Sequence, residues 1–534
     1  MSGRLNTLHQ VKRVIETVRH LKPEQVFYRL YYKFHTVSRL SHKIPKHSTN
    51  RKLNIVSYPE VQPVLEITEE KLKFSLLNQN RTYIHSVEWD DQKFGRLWNY
   101  NLQYADFLKQ HELPVADREK LIHDLYNWLF EGRLLPEPYP ASMRIMNVIR
   151  FLLNRSDDLT EQQKLTTAVY SELFYLSKRP EYHLSGNHLL ENGFAILMGG
   201  YFFNHKKWIQ LASSLLMKEL NEQILDDGAH YEGSPMYHSL LLFRVLEAIS
   251  YTDPQTELNA YFRKKAESML SWIQKMSVSC SNFAHFNDSV DGIALSLSSL
   301  LSLAGELHIT PDLHLPLASS GYRVLKSNGA ELIIDTGGIQ PDHQPGHSHA
   351  DSLSFILHVN GKAVITDPGI SNYEAGERRD LERSTRFHNT VTINDENSAD
   401  VWSIFRVGKR PSSTILEMSE KKLVAELQYR LSCGEEVIHK RIFNLDNQCL
   451  FIEDEVNKSK ATGRFYLAPG IDIALIKDNK LELKNGIMIL FSGITQIKEF
   501  IYRYNLRFNK QTQAVGVSYD FDHSSNVKIV WENK

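Results

Sequence analysis

The sequence predicts a multidomain chain, an all-α domain followed by an all-β sandwich, and three observations carry that expectation. From about residue 60 to 310, apolar residues recur at three- and four-residue spacing, the period of a helix face. From about residue 318 the period becomes two, as in half-buried strands. Only short polar or Gly/Pro connectors separate the helical segments, such as Lys178-Arg179-Pro180 and Asp226-Asp227-Gly228. That spacing gives antiparallel helix pairs and not βαβ alternation. At 534 residues the chain has room for two or three sizeable cores.

The elements follow in order. Residues 1–60 are expected to form a helical extension, in which 11–21 read as a basic amphipathic helix suited to pack on its own domain, on a partner or on a membrane surface. Charges recur every few residues there, so no secretory signal core is seen. No run approaches the roughly 20 apolar residues of a membrane span. A cytoplasmic location is the default expectation. Helices are expected over 117–130, 159–176, 187–203, 206–224, 236–250 and 257–276, within a helical domain spanning 61–312. The join is placed near 308–321, where Pro311, Pro316 and a Ser-Ser-Gly turn cluster. Strands are expected over 331–335, 352–359, 363–366, 390–394, 423–431, 437–445, 450–456 and 527–531, within a β domain spanning 318–534. Residues 481–489 read as a hairpin, with Asn485-Gly486 placed for a type I′ turn.

Composition excludes several classes. The net charge of −1 offers no global field for nucleic acid or an anionic membrane, although a local basic groove could still meet a polyanion. Cys280, Cys433 and Cys449 show no CxxC spacing, so neither a disulfide framework nor a thiolate metal site is indicated.

The chemistry concentrates in a few stretches. In Gly346-His347-Ser348-His349-Ala350-Asp351 the two histidines sit at i and i+2, so on an extended strand they point the same way. With Asp367 and His388, His349 offers two imidazoles and a carboxylate, a zinc-type shell, and His347 stays free for acid–base work. In Ser185-Gly186-Asn187-His188-Leu189-Leu190-Glu191, Asn187 reads equally as a helix N-cap. His188 and Glu191 are three apart on one helical face, which makes either an oriented imidazole or a surface ion pair. A helix start also favours a bound carboxylate. Asp226 to His238 is a polar loop running into a helix, where Pro235 suits the first turn and Tyr237 reads as core or as functional. Pro138 to Arg144 and Trp98 to Leu102 read as helix entry and core packing.

Taken together, LWNYNLQY, PYPASMRIMN, GNHLLENG, DGAHYEGSPMYH, GHSHADSLSF, VITDPG and RFHNTV resemble the heparinase II/III-like polysaccharide lyases. The resemblance runs from about Leu97 into the β domain. It implies an incomplete (α/α) toroid packed on an antiparallel β-sandwich, with the active cleft between them, acting on an acidic polysaccharide or oligosaccharide. Carried over by position, Asn187 and His188 would hold a uronate carboxylate, Tyr237 would be the catalytic acid and a candidate for the base as well, and His347 the second acid–base group. His349, Asp367 and His388 would bind a structural Zn2+ that fixes the loop carrying His347. Glu191 and Tyr373 match cleft positions, and Arg144, Arg378, Arg379, Arg383 and Arg386 are candidates for pairing with carboxylate or sulfate.

The chemistry behind these roles is β-elimination at a uronic acid, in which donors around the carboxylate stabilise an enolate-like state. A Tyr and a His on opposite walls would cover both faces of the sugar. A tyrosine with pKa ~10 would need nearby positive charge to act as a base at neutral pH. Three rivals stand beside this reading. A metal-dependent glycan hydrolase would use His347 and His349 together as ligands. A toroidal glycoside hydrolase would draw a carboxylate pair from Glu191, Asp226, Asp227 and Glu232. A non-catalytic glycan-binding protein of exopolysaccharide or capsule assembly would need neither.

Overall fold

The computed structural model describes residues 2–43, 45, 47–50, 52–155, 159–278 and 282–532; Cys280 lies outside them. Helices α1 (Ser2–Val18) and α2 (Pro23–Phe34) form an N-terminal hairpin, the first beginning well before the expected residue 11. A three-stranded antiparallel sheet follows: β1 (Leu65–Ile67), β2 (Lys71–Leu76) and β3 (Gln79–Ile84). This sheet corrects the purely helical expectation for residues 60–310. Its strands are three to six residues long, and one face buries only Leu65, Phe74, Leu76 and Tyr83, too short a signal to stand out against helical periodicity.

Among the described residues, nine helices then build the first half: α3 (Gly95–Gln103), α4 (Val115–Glu131), α5 (Pro138–Leu153), α6 (Leu159–Lys178), α7 (Gly186–Phe202), α8 (Lys206–Gln223), α9 (Pro235–Tyr251), α10 (Glu257–Lys275) and, after the short pair β4 (Ser277–Val278) and β5 (Asn282–Phe283), α11 (Leu297–Glu306). Their apolar faces merge into one core, with Ile149, Leu190, Leu216 and Leu246 among its fully buried members. Local chemistry fixes several starts. Ser234 accepts the N–H of Tyr237 at 3.3 Å ahead of Pro235, and Thr256 and Ser296 cap α10 and α11 in the same way.

Residues 307–321 carry neither helix nor strand, and the β half begins beyond them. A four-stranded sheet runs in the order β6 (Tyr322–Ser327), β7 (Ala330–Asp335), β8 (Phe355–Val359) and β9 (Lys362–Ile365). After α12 (Glu377–Glu382) come β10 (Val391–Ile393), the small pair β11 (Val401–Trp402) and β12 (Arg406–Val407), then β13 (Ser412–Met418), β14 (Lys422–Arg430), β15 (Glu436–Leu445), β16 (Cys449–Val456), β17 (Ala461–Tyr466), β18 (Ile473–Lys477), β19 (Lys480–Leu483), β20 (Met488–Arg507) and β21 (Lys510–Val530). Most of these form one antiparallel sheet, ordered 13-14-15-16-21-20-19-18, with β17 also on β21 and β10 on β17. Strand β15 alternates buried and part-exposed residues along its length, and the buried faces of both sheets meet in one apolar core. The helix-rich half followed by an antiparallel β half is the predicted order.

The turn after β19 differs from the type I′ expectation. Leu483 and Ile487 bracket three residues, and only Gly486 (φ 88°) is left-handed, with its N–H on the Leu483 carbonyl at 3.0 Å. A type I′ turn needs both central residues left-handed, which occurs one hairpin earlier at Asp478 and Asn479 (φ 49° and 60°).

The two halves are stitched by side chains. The Asp227 carboxylate accepts the N–H groups of Ala318 and Ser320, the Tyr322 hydroxyl donates to the Gly233 carbonyl at 2.6 Å, and Asn287 Oδ1 accepts the His349 N–H at 2.8 Å.

Candidate active site

A cleft of about 1580 Å³ opens between the halves, lined by Asn187, His188 and Tyr237 from the helical side and by His347, Tyr373 and Phe405 from the β side. The expected strand at His347–His349 is in fact a turn and an irregular stretch, so alternation does not set their directions. A buried carboxylate does. His347 Nδ1 donates to Asp288 Oδ2 at 2.8 Å, and His349 Nε2 donates to the other oxygen of that carboxylate at 2.8 Å. Arg379 grips both Asp288 oxygens, at 2.5 and 2.7 Å. Burial works against the Asp288 carboxylate, but Arg379 and the two imidazoles hold its pKa well below the usual aspartate range. With Nδ1 directed at Asp288, His347 leaves Nε2 as its other ring nitrogen, 3.4 Å from Asn187 Nδ2.

Asn187 lies one residue inside α7, which corrects its reading as the N-cap; Ser185, at φ 64°, holds that place. Glu232, wholly buried, satisfies the helix start. Its carboxylate takes the Asn187 backbone N–H at 3.2 Å and Asn187 Nδ2 at 2.9 Å, and stands 3.7 Å from His347 Nε2. A Cβ at Gly186 (φ 61°) would lie 2.2 Å from the Glu232 carboxylate, so glycine is what admits this acid beneath the helix. The helix start expected to receive a substrate carboxylate is therefore already filled by the chain's own. Burial works against the Glu232 carboxylate, but His230, His347 and Asn187 hold its pKa below the usual value.

Tyr237 places its hydroxyl 3.0 Å from that of Tyr373, and its ring lies against His347 with centroids 4.0 Å apart. Burial pushes the Tyr237 phenol well above its ordinary pKa, and the nearby Asp288 and Glu232 carboxylates add to this, so the group is protonated at neutral pH. The Tyr237 and His347 rings touch although they come from opposite walls. No sugar ring fits between them, which corrects the expectation that they flank the substrate. His188 bonds Glu181 at 3.2 Å and rests on Tyr139. Burial opposes its positive charge, but Glu181 outweighs this and raises the His188 pKa.

Several expected residues fall elsewhere. Glu191 does not pair with His188; it is buried, bonds Arg244 at 2.8 Å and lines the cleft. Arg144, expected to bind substrate, is fully buried within the helical core, bonded to Glu172 at 3.1 Å and to the Gln103 carbonyl at 2.7 Å. Its face of α5 points into the core and away from the cleft. Arg378 bonds Glu382, Arg383 donates to backbone carbonyls such as that of Ser348 at 2.9 Å, and Arg386 is exposed on the surface. The expected metal trio is also redrawn. His349, Asp351 and His388 bring ligand atoms within 4.8 Å of one another, whereas Asp367 stands behind His388, accepting from its Nδ1 at 2.6 Å. Sequence reasoning missed Asp288 as an organiser and saw Glu232 only as a spare carboxylate. The Phe286-Asn287-Asp288-Ser289 stretch carries no spacing that ties it to the distant histidines.

Known proteins resemble this chain over both halves. The description "Heparinase II/III N-terminus" fits residues 90–307, and "Heparinase II/III-like, C-terminal" fits residues 311–532. A heparin-sulfate lyase of Bacteroides stercoris is 22% identical over 441 residues, covering 71% of this chain and 62% of the relative. One from Pedobacter heparinus is 24% identical over 370 residues, covering 60% of this chain and 53% of the relative. The chain thus spans little more than half the length of these curated relatives. Among solved structures, heparinase III superposes with a TM-score of 0.66 at 16% identity, covering 84% of this chain and 79% of that one. A mutant of the heparan sulfate lyase HepC from Pedobacter heparinus gives a TM-score of 0.60 at 15% identity, covering 96% and 88%.

Proposed function

The chain belongs to the heparinase II/III-like family, and from that premise we propose that it is a polysaccharide lyase that cleaves a uronic-acid-containing glycan by β-elimination. One observation carries the reading. A protonated tyrosine and a carboxylate-oriented histidine, from opposite halves, meet beside an amide and an imidazole whose charged form Glu181 favours, all in one cleft. Asn187 and His188 take the uronate carboxylate and stabilise the enolate-like state, where loss of one such donor costs roughly 10²–10³ in rate. The C5–H bond breaks and its proton passes to His347 Nε2. The freed electron pair forms the C4–C5 double bond, the C4–O bond breaks, and the leaving oxygen takes the Tyr237 proton. Tyr373, bonded to the Tyr237 hydroxyl, holds that phenol in place. Because the two rings touch, acid and base reach one side of the sugar, and elimination is syn.

A zinc ion fits the trio beside this site. His349 Nδ1, Asp351 Oδ2 and His388 Nε2 are all buried without a hydrogen-bond partner, and they converge. Asp367 on His388 Nδ1 and Asp288 on His349 Nε2 act as the outer carboxylates that orient ligating imidazoles. When bound, the ion supplies a structural clamp on the segment that presents His347. The hydrolase reading needs His347 and His349 as ligands of one metal, but they hold opposite oxygens of Asp288.

The test is an ultraviolet assay for unsaturated uronate across heparan sulfate, heparin, hyaluronan, alginate and bacterial exopolysaccharides. Absorbance that disappears in Tyr237→Phe supports the lyase. New reducing ends without absorbance would show hydrolysis, and glycan binding without either product would show a carrier.

A further inference from the structure

Both family matches begin after residue 89, yet the preceding segment supplies two ties across the cleft. The first is the N-terminal hairpin. Helix α1 is fastened to the β half: Arg13 Nε donates to Asp400 at 2.9 Å, the Thr17 hydroxyl to the Val407 carbonyl at 3.0 Å, and Trp402 Nε1 to the Thr17 hydroxyl at 3.2 Å. Helix α2 is fastened chiefly to the helical half: the Tyr32 hydroxyl donates to the Pro180 carbonyl at 2.6 Å, Tyr28 stacks on Tyr182 at 4.6 Å, and Lys22 pairs with Glu222. The hairpin therefore crosses from one wall to the other. Val14, Thr17, Val18, Leu21, Arg29 and Tyr32 line the cleft as it does so. The second tie is the β2–β3 turn, where Asn78 donates to the Phe508 carbonyl at 2.8 Å and Asn509 donates back to the Leu77 carbonyl at 3.0 Å. These four residues line the same cleft.

We infer that helices α1 and α2 and the β2–β3 turn bracket the cleft, so that the protein takes the end of a uronate-bearing chain, or a short oligosaccharide, and cuts from that end. The inference rests on the lyase reading and adds the mode of attack to it. A polymer bound through its interior must leave the cleft in two directions. Here the hairpin and the β2–β3 turn each span the gap between halves, so interior binding requires threading beneath a tie or breaking it. A chain end needs only one exit. Arg29, the α2 cation on the lining, is placed to meet an anionic group near that end.

The experiment follows mean chain length by size-exclusion chromatography, alongside ultraviolet absorbance, with the full chain on the polymer that gives absorbance in the panel. Absorbance reports elimination and chain length reports the bracket, so the two readings fail separately. Chain-end attack predicts that mean length falls only in step with the small unsaturated products released. A collapse of chain length while few linkages have been cut overturns the inference, even though elimination stands. In the variant R13A/T17A, which loosens α1 from the β half, interior cutting is expected to appear. If that variant matches the parent in product profile while hydrogen exchange shows α1 released, the hairpin is not what sets the mode.

Discussion

The phenol of Tyr237 and the imidazole of His347 meet across the seam between the helical and β halves, centroids 4.0 Å apart and planes inclined by 31°. Neither half holds the pair alone, and each ring is oriented by a partner: Tyr373 at 3.0 Å for the phenol, Asp288 at 2.8 Å for the imidazole. Tyr237→Phe removes only a hydroxyl whose protein partner is Tyr373. Turnover is expected to fall by about 10²–10⁴ with KM and thermal stability nearly unchanged, read by steady-state kinetics and calorimetry.

Asp288→Asn is expected to lose both activity and stability. It leaves the fully buried Arg379 without its counter-charge, a change worth about 3–5 kcal/mol. Denaturant melts measure that loss. His347→Ala, which leaves the Asp288–Arg379 pair intact, should abolish turnover at a much smaller stability cost.

Glu232→Gln keeps the shape beneath α7 and removes the charge. The Asn187 amide and the His347 edge then lose their common anchor, and a displacement of about 1 Å at such a site can cost 10²-fold. The expected signature is a fall in kcat of up to about 10² with a smaller change in KM. An unchanged kcat would remove Glu232 from any positioning role.

Arg144→Ala tests the correction to the substrate-binding set. The variant leaves Glu172 buried without its counter-charge, with only the Tyr126 hydroxyl still donating to it, so it should be destabilised by about 3–5 kcal/mol while the folded fraction keeps the parent KM. A raised KM in fully folded protein would return Arg144 to the cleft.

Metal removal should act on stability, with a defined pH sign. Burial pushes the Asp351 carboxyl up to about 6, against an ordinary value near 3.9. Its folded pKa is raised, so the metal-free protein binds the extra proton between those values and loses stability as pH rises from about 4 to about 6. The loss from this group is about 3 kcal/mol. Zinc neutralises the carboxylate, so the stabilisation on adding zinc should grow across the same window. Melting curves at matched pH, with and without chelator, read this directly.

Much of the architecture was legible because periodicity survives in long elements. Helices such as α8 and α9 and strands such as β15 were expected within two residues of where they lie. The short β1–β3 sheet was not, because six residues of alternation are indistinguishable from a helix edge. For the site, local motifs pointed to Asn187, His188, Tyr237 and His347, all of which line the cleft. Their supports were invisible because they join segments distant in sequence: Asp288 reaches His347 across 59 positions and Glu232 reaches it across 115. Arg144 was misread because sequence shows a charge but not its burial. Asp367 was grouped with His349 and His388 because sequence cannot show that it bonds His388 Nδ1 while Asp351 lies closer to both imidazoles.

The Asn287–Asp288 segment precedes α11 and belongs by chain order to the helical half, yet it orients two histidines of the other half. Shuffling at the 307–321 join would therefore separate those histidines from the aspartate that aims them. A chimera that swaps one half would keep both histidines aimed, and Arg379 paired, only if the 286–289 segment travelled with them.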